Sequence, residues 1–561
     1  MTAIEQARDR NGQTIADRFR FDGTSLWFLV RDAFFERDGG ILDLTARAAD
    51  VPRRGGQSPH DVKAPNVADM PEQSPGFRSL RIAHAKSAIE VLGRTALSSL
   101  RHLAPSRLLV VTPHGAASRR ELELPLDRWS APYRTLLERT GATWISLFPP
   151  RRLASWSQDL LADWQAISDG RYVPWQAGLT ALAWPVLIQR RARFRQQLGS
   201  LWHDTAWRES WFEALPPGAH STAIDELKQV FTALDRDLGL AWLLIVAANA
   251  LTQRVRPSVL VTFDTLGNAG RAFVHAAHRQ KIRTVGVQTG IISPTGVANL
   301  GFRLDRADSR APGPQNLWLW GPRYQETLAS FGWPTDALHS VGFAECDLTQ
   351  RPGVQDPTRY APVQSPVREL LLLANANVGI CSAIARPADE LHLIARIIHA
   401  LSRRDSASHL RLLVRCHPAT IDSGYGRDLA NLCARFDNIV FDDAGVSLAQ
   451  RIAEADLVLG SSSTGLIEAA RAGKPVIVLN PSGLEITGFE RYDVPVIGQT
   501  DDIAARFDEI LRDDARLSRA RDQLVVHAAP DLDLVAVEAM MDTWMSVSPD
   551  SHAGTSIVRG R

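Results

Sequence analysis

The sequence has few cysteines and almost no net charge, and both scarcities limit what the protein can be. Only four cysteines occur in 561 residues, and they are widely separated, with no C-x-x-C pair. This spacing argues against a disulfide or zinc framework and favours reduced thiols. The 63 basic and 62 acidic side chains give a formal net charge of +1, so no overall field favours nucleic acid or an anionic membrane. Any anionic ligand must therefore be held locally.

Long apolar runs are also missing. The longest, GLAWLLIVAANAL at residues 239–251, is shorter than the roughly 20 residues that a membrane-spanning helix requires, and it predicts a buried helix. The first residues contain no apolar h-region, so they do not predict a secretory signal. We expect a cytoplasmic protein. The amphipathic stretch at residues 25–37 leaves peripheral association with the inner face of the plasma membrane open, although packing on its own domain is the favoured interpretation.

The length and the hydrophobic pattern together indicate several domains. At about 150 residues per domain, 561 residues predict two to four domains. Short apolar runs alternate with helical patterns over two stretches, which predicts two parallel sheets covered on both faces. The predicted strands are 108–112, 142–148, 258–263 and 283–288 in the first stretch, and 368–374, 410–416, 438–441, 456–460 and 475–480 in the second.

We divide the chain at changes in composition and pattern. The predicted parts are an N-terminal helical segment 1–50, a linker 51–77, an N-terminal α/β domain 78–325 with a mostly helical insertion at about 156–251, a C-terminal α/β domain 326–546, and a disordered tail 547–561.

A run of four hydroxyl side chains follows one predicted strand of the second domain. In ADLVLGSSSTGLIEAARAGKPVIVL, this run is Ser461, Ser462, Ser463 and Thr464. Ligands of an open parallel sheet bind beyond the carboxyl ends of its strands, where hydroxyls and first-turn amides can hold a phosphate. One hydroxyl is expected to cap the following helix, but capping does not need four. The run therefore predicts a phosphate or pyrophosphate site, with capping alone as the alternative.

Two further motifs extend this predicted site. Glu468 does not have capping-box spacing from Thr464, so its carboxylate is expected to face the cleft and accept hydrogen bonds from ribose hydroxyls; a solvated helix charge is the alternative. His417-Pro418 ends another strand at the same sheet edge. The proline favours extended backbone at His417, whose imidazole can donate to a phosphate or stabilise a leaving nucleotide.

These motifs resemble those of a known group of enzymes. CHP at residues 416–418, followed by the hydroxyl run, is similar to the C-terminal half of GT-B glycosyltransferases of bacterial surface and capsular polysaccharide biosynthesis. It resembles most the sialyl-, polysialyl-, Kdo- and glycerophosphotransferase-like enzymes, which carry an HP motif and a serine motif. EAARAGKP at 468–475 is shared more widely, including with UDP-GlcNAc 2-epimerases. The resemblance implies a GT-B fold, with two Rossmann-like parallel-sheet domains facing a cleft.

The N-terminal half is similar to the same group over residues 256–296. There a strand ends in a QHG-like signature, but this chain has Gln288-Thr289-Gly290, so threonine stands where histidine is typical and an acid/base role at this cleft or acceptor position is in doubt. The resemblance implies that a carboxylate or histidine of this domain deprotonates the acceptor. Asp264 is our preferred base and His114 its rival, and either could instead cap a loop.

The sequence as a whole therefore predicts an inverting, metal-independent glycosyltransferase. Its partners would be a nucleotide-sugar donor, with CMP- or CDP-linked sugars favoured over UDP-linked ones, and a surface polysaccharide or lipid-linked glycan acceptor. No cofactor is expected, because the nucleotide-sugar is a substrate, and the cleft segments show no D-x-D pair or metal cluster. Two alternatives stay open: a UDP-GlcNAc 2-epimerase-like enzyme, and a non-catalytic glycan-binding or assembly protein on the same scaffold.

Overall fold

The structure is a computed structural model, and it describes most of the chain from residue 241 onward and shorter stretches before it. The described residues are 20–21, 24–25, 105–112, 129–146, 172–174, 241–265, 267–295, 313–343, 369–374, 387–403, 410–417, 420–421, 424–442, 445–485 and 487–546. The predicted linker 51–77 and tail 547–561 lie outside them, as does most of the segment 1–50.

Two parallel sheets form the framework of the described residues. One has the strand order β5-β4-β3-β6-β7-β8-β9 and the other the order β12-β11-β10-β13-β14-β15. In each, the chain begins at a central strand, runs outward to one edge, and then returns to fill the other side, which is the doubly wound order. A separate two-residue antiparallel pair precedes them. The strands are β1 Arg20–Phe21, β2 Thr24–Ser25, β3 Leu108–Thr112, β4 Thr143–Ser146, β5 Tyr172–Pro174, β6 Val259–Thr262, β7 Arg283–Val287, β8 Asn316–Leu319, β9 Leu338–Ser340, β10 Glu369–Ala374, β11 Arg411–Cys416, β12 Ile439–Asp442, β13 Leu457–Gly460, β14 Val476–Asn480 and β15 Val496–Gly498.

Helices cover both faces of the sheets. They are α1 Arg134–Arg139, α2 at 241–255, α3 Asn268–Arg279, α4 Pro322–Ser330, α5 Pro387–Ser402, α6 Gly424–Cys433, α7 Leu448–Glu454, α8 Gly465–Arg471, α9 Ile503–Leu511, α10 Asp514–Ala528 and α11 Leu534–Ser546. Three-residue or four-residue 3-10 turns occur at Ala131–Tyr133, Thr335–Ala337 and Phe489–Tyr492. Among these described helices, none combines the length and the apolar character that crossing a membrane would require.

Strand β10 shows why the apolar runs of the second domain form a sheet buried on both faces. Successive side chains of a strand point to opposite faces. Leu370 and Leu372 accordingly join the core beneath α5, α6 and α9, whereas Leu371 and Leu373 join the core beneath α7, α8 and α10. A strand with polar residues on one face would bury those polar groups in one of the two apolar cores. The predicted fold class, two Rossmann-like parallel-sheet domains in the GT-B manner, is confirmed by this layering and strand order.

The predicted strands are all present, but several short ones were missed. The sequence interpretation placed a mostly helical insertion at about 156–251, yet β5 lies within it and pairs in parallel with β4 through Trp144 and Tyr172. A three-residue strand ending in proline is too short to show an alternating pattern. The buried helix predicted at 239–251 corresponds to α2, and the stretches 147–171 and 175–240 lie outside the described residues.

The predicted domain boundary after residue 325 does not coincide with the division that the structure shows. That position falls inside α4, and β9 beyond it adds to the first sheet by pairing with β8. The last helix, α11, also returns to the first domain, where Val537, Met541 and Trp544 are buried against its core. The second domain therefore consists of β10 to β15 and α5 to α10, and its chain both enters from and returns to the first domain.

The carboxyl ends of the two sheets face each other where the domains meet. The guanidinium of Arg323, just after β8, donates to the carbonyl oxygen of Thr487, in the loop after β14. The neighbouring Gly488 has a φ of +68°, and a Cβ there would lie 3.1 Å from Cγ of Pro294, which follows β7. Glycine is required because this left-handed turn passes so close to the first domain. Loops after parallel strands of both sheets thus contact each other where the domains meet.

Candidate functional site

The hydroxyl run lies where the strand order of the second sheet reverses. Strands β10 and β13 are neighbours although β11 and β12 come between them in the chain, so the connections after β10 and β13 leave in opposite directions. Such a switch point leaves a crevice at the carboxyl ends of the strands, which is the usual ligand position in open α/β sheets. Residues 461–464 follow β13 directly and form one wall of this crevice.

His417 lies close to the same switch point, on the other side of β10. Its backbone N–H donates to the carbonyl oxygen of Ala374, the last residue of β10, at 3.2 Å. Because adjacent strands are about 4.8 Å apart, the chains at His417 and Ser461 are separated by about 10 Å across β10. The carbonyl of His417 accepts from the N–H and the hydroxyl of Thr420 at 2.8 and 3.0 Å, which closes the turn. Pro418 lies outside the described residues.

The four hydroxyls of the run have different roles, and one of them is removed from the cleft. Ser461 is 1% exposed, and its hydroxyl donates to the buried carboxylate of Glu390. It therefore cannot contact a phosphate as the sequence predicted. The expected hydroxyl cap is absent, since the side chain of the N-cap residue Thr464 accepts no cap hydrogen bond; the hydroxyl of Ser463 accepts instead from the N–H of Gly465, the first residue of α8, at 3.1 Å. Ser462 and Thr464 are partly exposed at the crevice.

The first-turn amides of α8 also differ from the prediction. The amides of Gly465, Leu466 and Ile467 all donate within the chain, to the hydroxyl or carbonyl of Ser463 and to the carbonyl of Thr464. They are not directed at an external phosphate. The candidate site consequently depends on side chains, chiefly His417, Ser462 and Glu468, rather than on the dipole of this short helix.

Glu468 is partly buried one turn into α8, on the side that carries Thr464. The hydroxyl of Thr464 is 3.4 Å from a carboxylate oxygen of Glu468, which is a long contact.

A buried polar network beneath these residues was not found from the sequence. Glu390, in the first turn of α5, is fully buried and accepts hydrogen bonds from Ser461 and from the hydroxyl of Tyr425. Burial, and secondarily the Glu390 charge, raises the pKa of Tyr425 far above its ordinary value, so the phenol stays a donor. Nearby, burial raises the pKa of Cys416, whose thiol contacts Thr420 at 3.1 Å.

In the first domain, the candidate base Asp264 follows β6 at the equivalent switch point. Asp264 comes after β6 and His114 after β3, and these strands pair directly. The carboxylate oxygens of Asp264 accept from the N–H groups of Gly267 and Gly270, each at 2.9 Å, so this carboxylate caps α3. Burial raises the pKa of Asp264, and the two backbone bonds oppose that rise. His114 lies outside the described residues.

The QTG signature connects two strand ends. Gln288 is 3% exposed; its side-chain amide donates to the carbonyl of Gly290 at 2.9 Å, and its oxygen accepts from the N–H of Trp320 at 2.9 Å. This glutamine therefore joins the ends of β7 and β8 instead of projecting into the cleft. Thr289 and Gly290 are partly exposed at the same edge.

Within the described ranges, no group of three or more His, Cys, Asp or Glu side chains has the arrangement of a metal site. At the second domain, His417, the hydroxyl run and Glu468 instead lie at or just beyond the carboxyl ends of β11 and β13, on either side of β10. Such a set can hydrogen-bond a phosphate and a ribose.

Comparison with known proteins gives matches in structure but not in sequence. No protein-family model and no curated protein matches the chain. A UDP-GlcNAc 2-epimerase from Neisseria meningitidis, solved with UDP-GlcNAc, is 12% identical with a TM-score of 0.47, over 78% of this chain and 99% of that one. The Methanocaldococcus jannaschii UDP-GlcNAc 2-epimerase, with UDP-GlcNAc and UDP, is 12% identical with a TM-score of 0.43, over 78% and 99%.

The α,α-trehalose 6-phosphate synthase from Burkholderia multivorans is likewise 12% identical, with a TM-score of 0.44, over 81% of this chain and 100% of that one. At these identities and scores, the fold assignment rests on the strand order and packing described above.

Proposed function

We propose that this protein is a GT-B glycosyltransferase that transfers a sugar from a nucleotide-activated donor to a surface polysaccharide or lipid-linked glycan. The observation that carries the proposal is that His417 and the turn 461–464, distant in the chain, lie on either side of β10 at a switch point facing the cleft. The donor's diphosphate or monophosphate would bind there, with Ser462 donating to it and His417 stabilising charge on the leaving nucleotide.

The nature of the donor is what the resemblance to the sialyl-, polysialyl-, Kdo- and glycerophosphotransferase-like enzymes implies. His417-Pro418 together with the hydroxyl run favours a CMP- or CDP-linked sugar, and a UDP-linked sugar is the second choice. Glu468 would accept hydrogen bonds from the ribose. In-line attack by an acceptor hydroxyl bound to the first domain would invert the anomeric carbon, and closure of the cleft would supply much of the rate enhancement by bringing the reactants together.

Donor hydrolysis without acceptor tests this function. Purified protein is incubated with a panel of CMP-, CDP-, UDP- and GDP-sugars, and free nucleotide and sugar are measured. A transferase should hydrolyse one donor slowly. Conversion of UDP-GlcNAc to its C2 epimer would identify an epimerase instead, and neither reaction, with no nucleotide bound, would indicate a non-catalytic glycan-binding protein.

A further inference from the structure

A fully buried carboxylate lies directly beneath the candidate site. Glu390 belongs to the first turn of α5, which follows β10, and its two carboxylate oxygens accept from different hydroxyls. One hydroxyl is that of Ser461, at the end of β13, and the other is that of Tyr425, in the first turn of α6 after β11. Elements that follow three neighbouring strands therefore meet at a single side chain.

A polar group in such a place needs an explanation, because burying it is costly unless hydrogen bonds compensate for the lost water. Leu393 and Ile394, which follow Glu390 on the same helix, belong to the apolar core. An apolar side chain at 390 would fill the same volume without that cost. What it could not do is hold the two turns that carry the candidate ligand-binding groups.

The two hydrogen bonds of Glu390, from Ser461 and from Tyr425, lead to the turns that carry the candidate ligand-binding groups. Ser461 begins the turn that continues with Ser462 to Thr464 and then α8. Tyr425 stands beside Gly426, whose Cα packs so closely on the turn after β11 that an added Cβ would lie 2.3 Å from the carbonyl oxygen of Ile421. That turn begins at His417, so a shift of α6 would displace the turn as well.

Resting on the function proposed above, we infer that Glu390 is a positioning residue: it fixes the hydroxyl turn through Ser461 and the His417 turn through Tyr425, and so sets the separation of the groups that would hold the nucleotide. Glu390 does not reach the ligand itself. Its loss should weaken nucleotide binding through the two turns.

The test compares Glu390→Gln with a matched control. The substitution keeps the shape but replaces one acceptor oxygen with an amide donor, so residue 390 can no longer accept from both hydroxyls. The control is Asp456→Asn: the Asp456 carboxylate accepts from the N–H of Glu369 at 2.8 Å, at the opposite ends of the same strands β10 and β13. Ser461→Ala serves as a second variant that breaks one connection without altering the carboxylate.

Binding of CMP, CDP, UMP and UDP is measured by calorimetry, the thermal midpoint by scanning calorimetry, and amide hydrogen exchange over residues 461–468 by mass spectrometry. We expect Glu390→Gln and Ser461→Ala to raise the Kd of the bound nucleotide about tenfold or more and to speed exchange in 461–468. Asp456→Asn should leave the Kd and this exchange unchanged.

A Kd within about twofold of the unsubstituted protein in Glu390→Gln, or a rise equal to that in Asp456→Asn, would overturn the inference. If the unsubstituted protein binds none of the four nucleotides, the proposed function fails separately. The positioning role is then decided by exchange alone: unaltered exchange over 461–468 in Glu390→Gln, with the fold retained, refutes it, and faster exchange supports it. If Glu390→Gln does not fold, Ser461→Ala gives the same decision.

Discussion

Replacing Trp544 with alanine should weaken the packing of α11 against the first domain and so lower the stability of that domain. Trp544 is 8% exposed on α11, and its ring stacks on Trp318 of β8 with centroids 6.3 Å apart and planes at 13°. It also makes an edge contact with His339 at 5.7 Å and lies 5.5 Å from the guanidinium of Arg283. These three residues all belong to the first sheet, so Trp544 packs α11 directly against that sheet.

The magnitude follows from the size of the buried side chain. Truncation of a buried tryptophan to alanine costs about 3–5 kcal/mol, because apolar burial is lost and a cavity remains. For a domain of this size, each kcal/mol lowers the thermal midpoint by about 2–4 °C, so Trp544→Ala should lower the first-domain transition by about 6 °C or more. Val535 on the same helix is 77% exposed, and Val535→Ala should change stability by less than about 0.5 kcal/mol.

Scanning calorimetry suits this comparison because it can resolve the transitions of separate domains. Nucleotide affinity provides a second reading and should not change in either variant, since the core of described residues that α11 joins contains no residue of β10, β11 or β13. A midpoint for Trp544→Ala within about 2 °C of that for Val535→Ala would show that α11 does not hold the first domain, and would refute the reasoning.

Three further predictions concern the site and the first domain. His417→Ala and Ser462→Ala should each weaken nucleotide binding or turnover with an unchanged circular dichroism spectrum; normal affinity and rate in both would reject the site. Glu468→Gln should reduce the preference for a ribonucleotide over its 2′-deoxy analogue by about tenfold, measured as a ratio of Kd values, whereas an unchanged ratio would remove the ribose contact. Burial lowers the pKa of His278 to about 4, so the folded state keeps it neutral while the unfolded state, with a pKa near 6.5, takes up the proton first. Stability should therefore fall between about pH 6.5 and 4, and His278→Gln should flatten that part of the stability curve; a curve of unchanged slope would contradict this.

The sequence predicted the sheet of the second domain well because its strands are apolar on both faces. Strand β10 reads as a continuous apolar run for this reason, and so does β14. The short edge strands β5, β9 and β15 have three residues each, which is too few for any periodicity to appear. These segments form strands because each pairs with a neighbouring strand of the sheet. Such tertiary pairing cannot be seen in the local sequence.

The sequence predicted that the hydroxyl run follows a strand of the second sheet, but it did not predict how the four side chains differ in burial. Four hydroxyls in a row look equivalent in the sequence, and the structure separates them. The two-residue period of β13 gives the reason: Leu457 and Leu459 face the core beneath α5, so Ser461, two residues on, continues toward that core and meets Glu390. Applying the period beyond the end of the strand would have identified Ser461 as buried. The partner could not be found this way, because Glu390 lies 71 positions away.

At the switch point of the first domain, between β3 and β6, Asp264 could serve as the catalytic base or only as a helix cap. Both carboxylate oxygens of Asp264 cap α3, one accepting from the N–H of Gly267 and the other from that of Gly270. Each carboxylate oxygen keeps a second lone pair, so capping and proton transfer are compatible only if the acceptor hydroxyl approaches from the cleft side. Asp264→Asn separates the two roles, since an asparagine retains one acceptor for the cap but cannot take a proton. Lost transfer to acceptor, with donor affinity unchanged, would identify a base; a lowered thermal midpoint with transfer intact would leave Asp264 as a cap and move the assignment to His114.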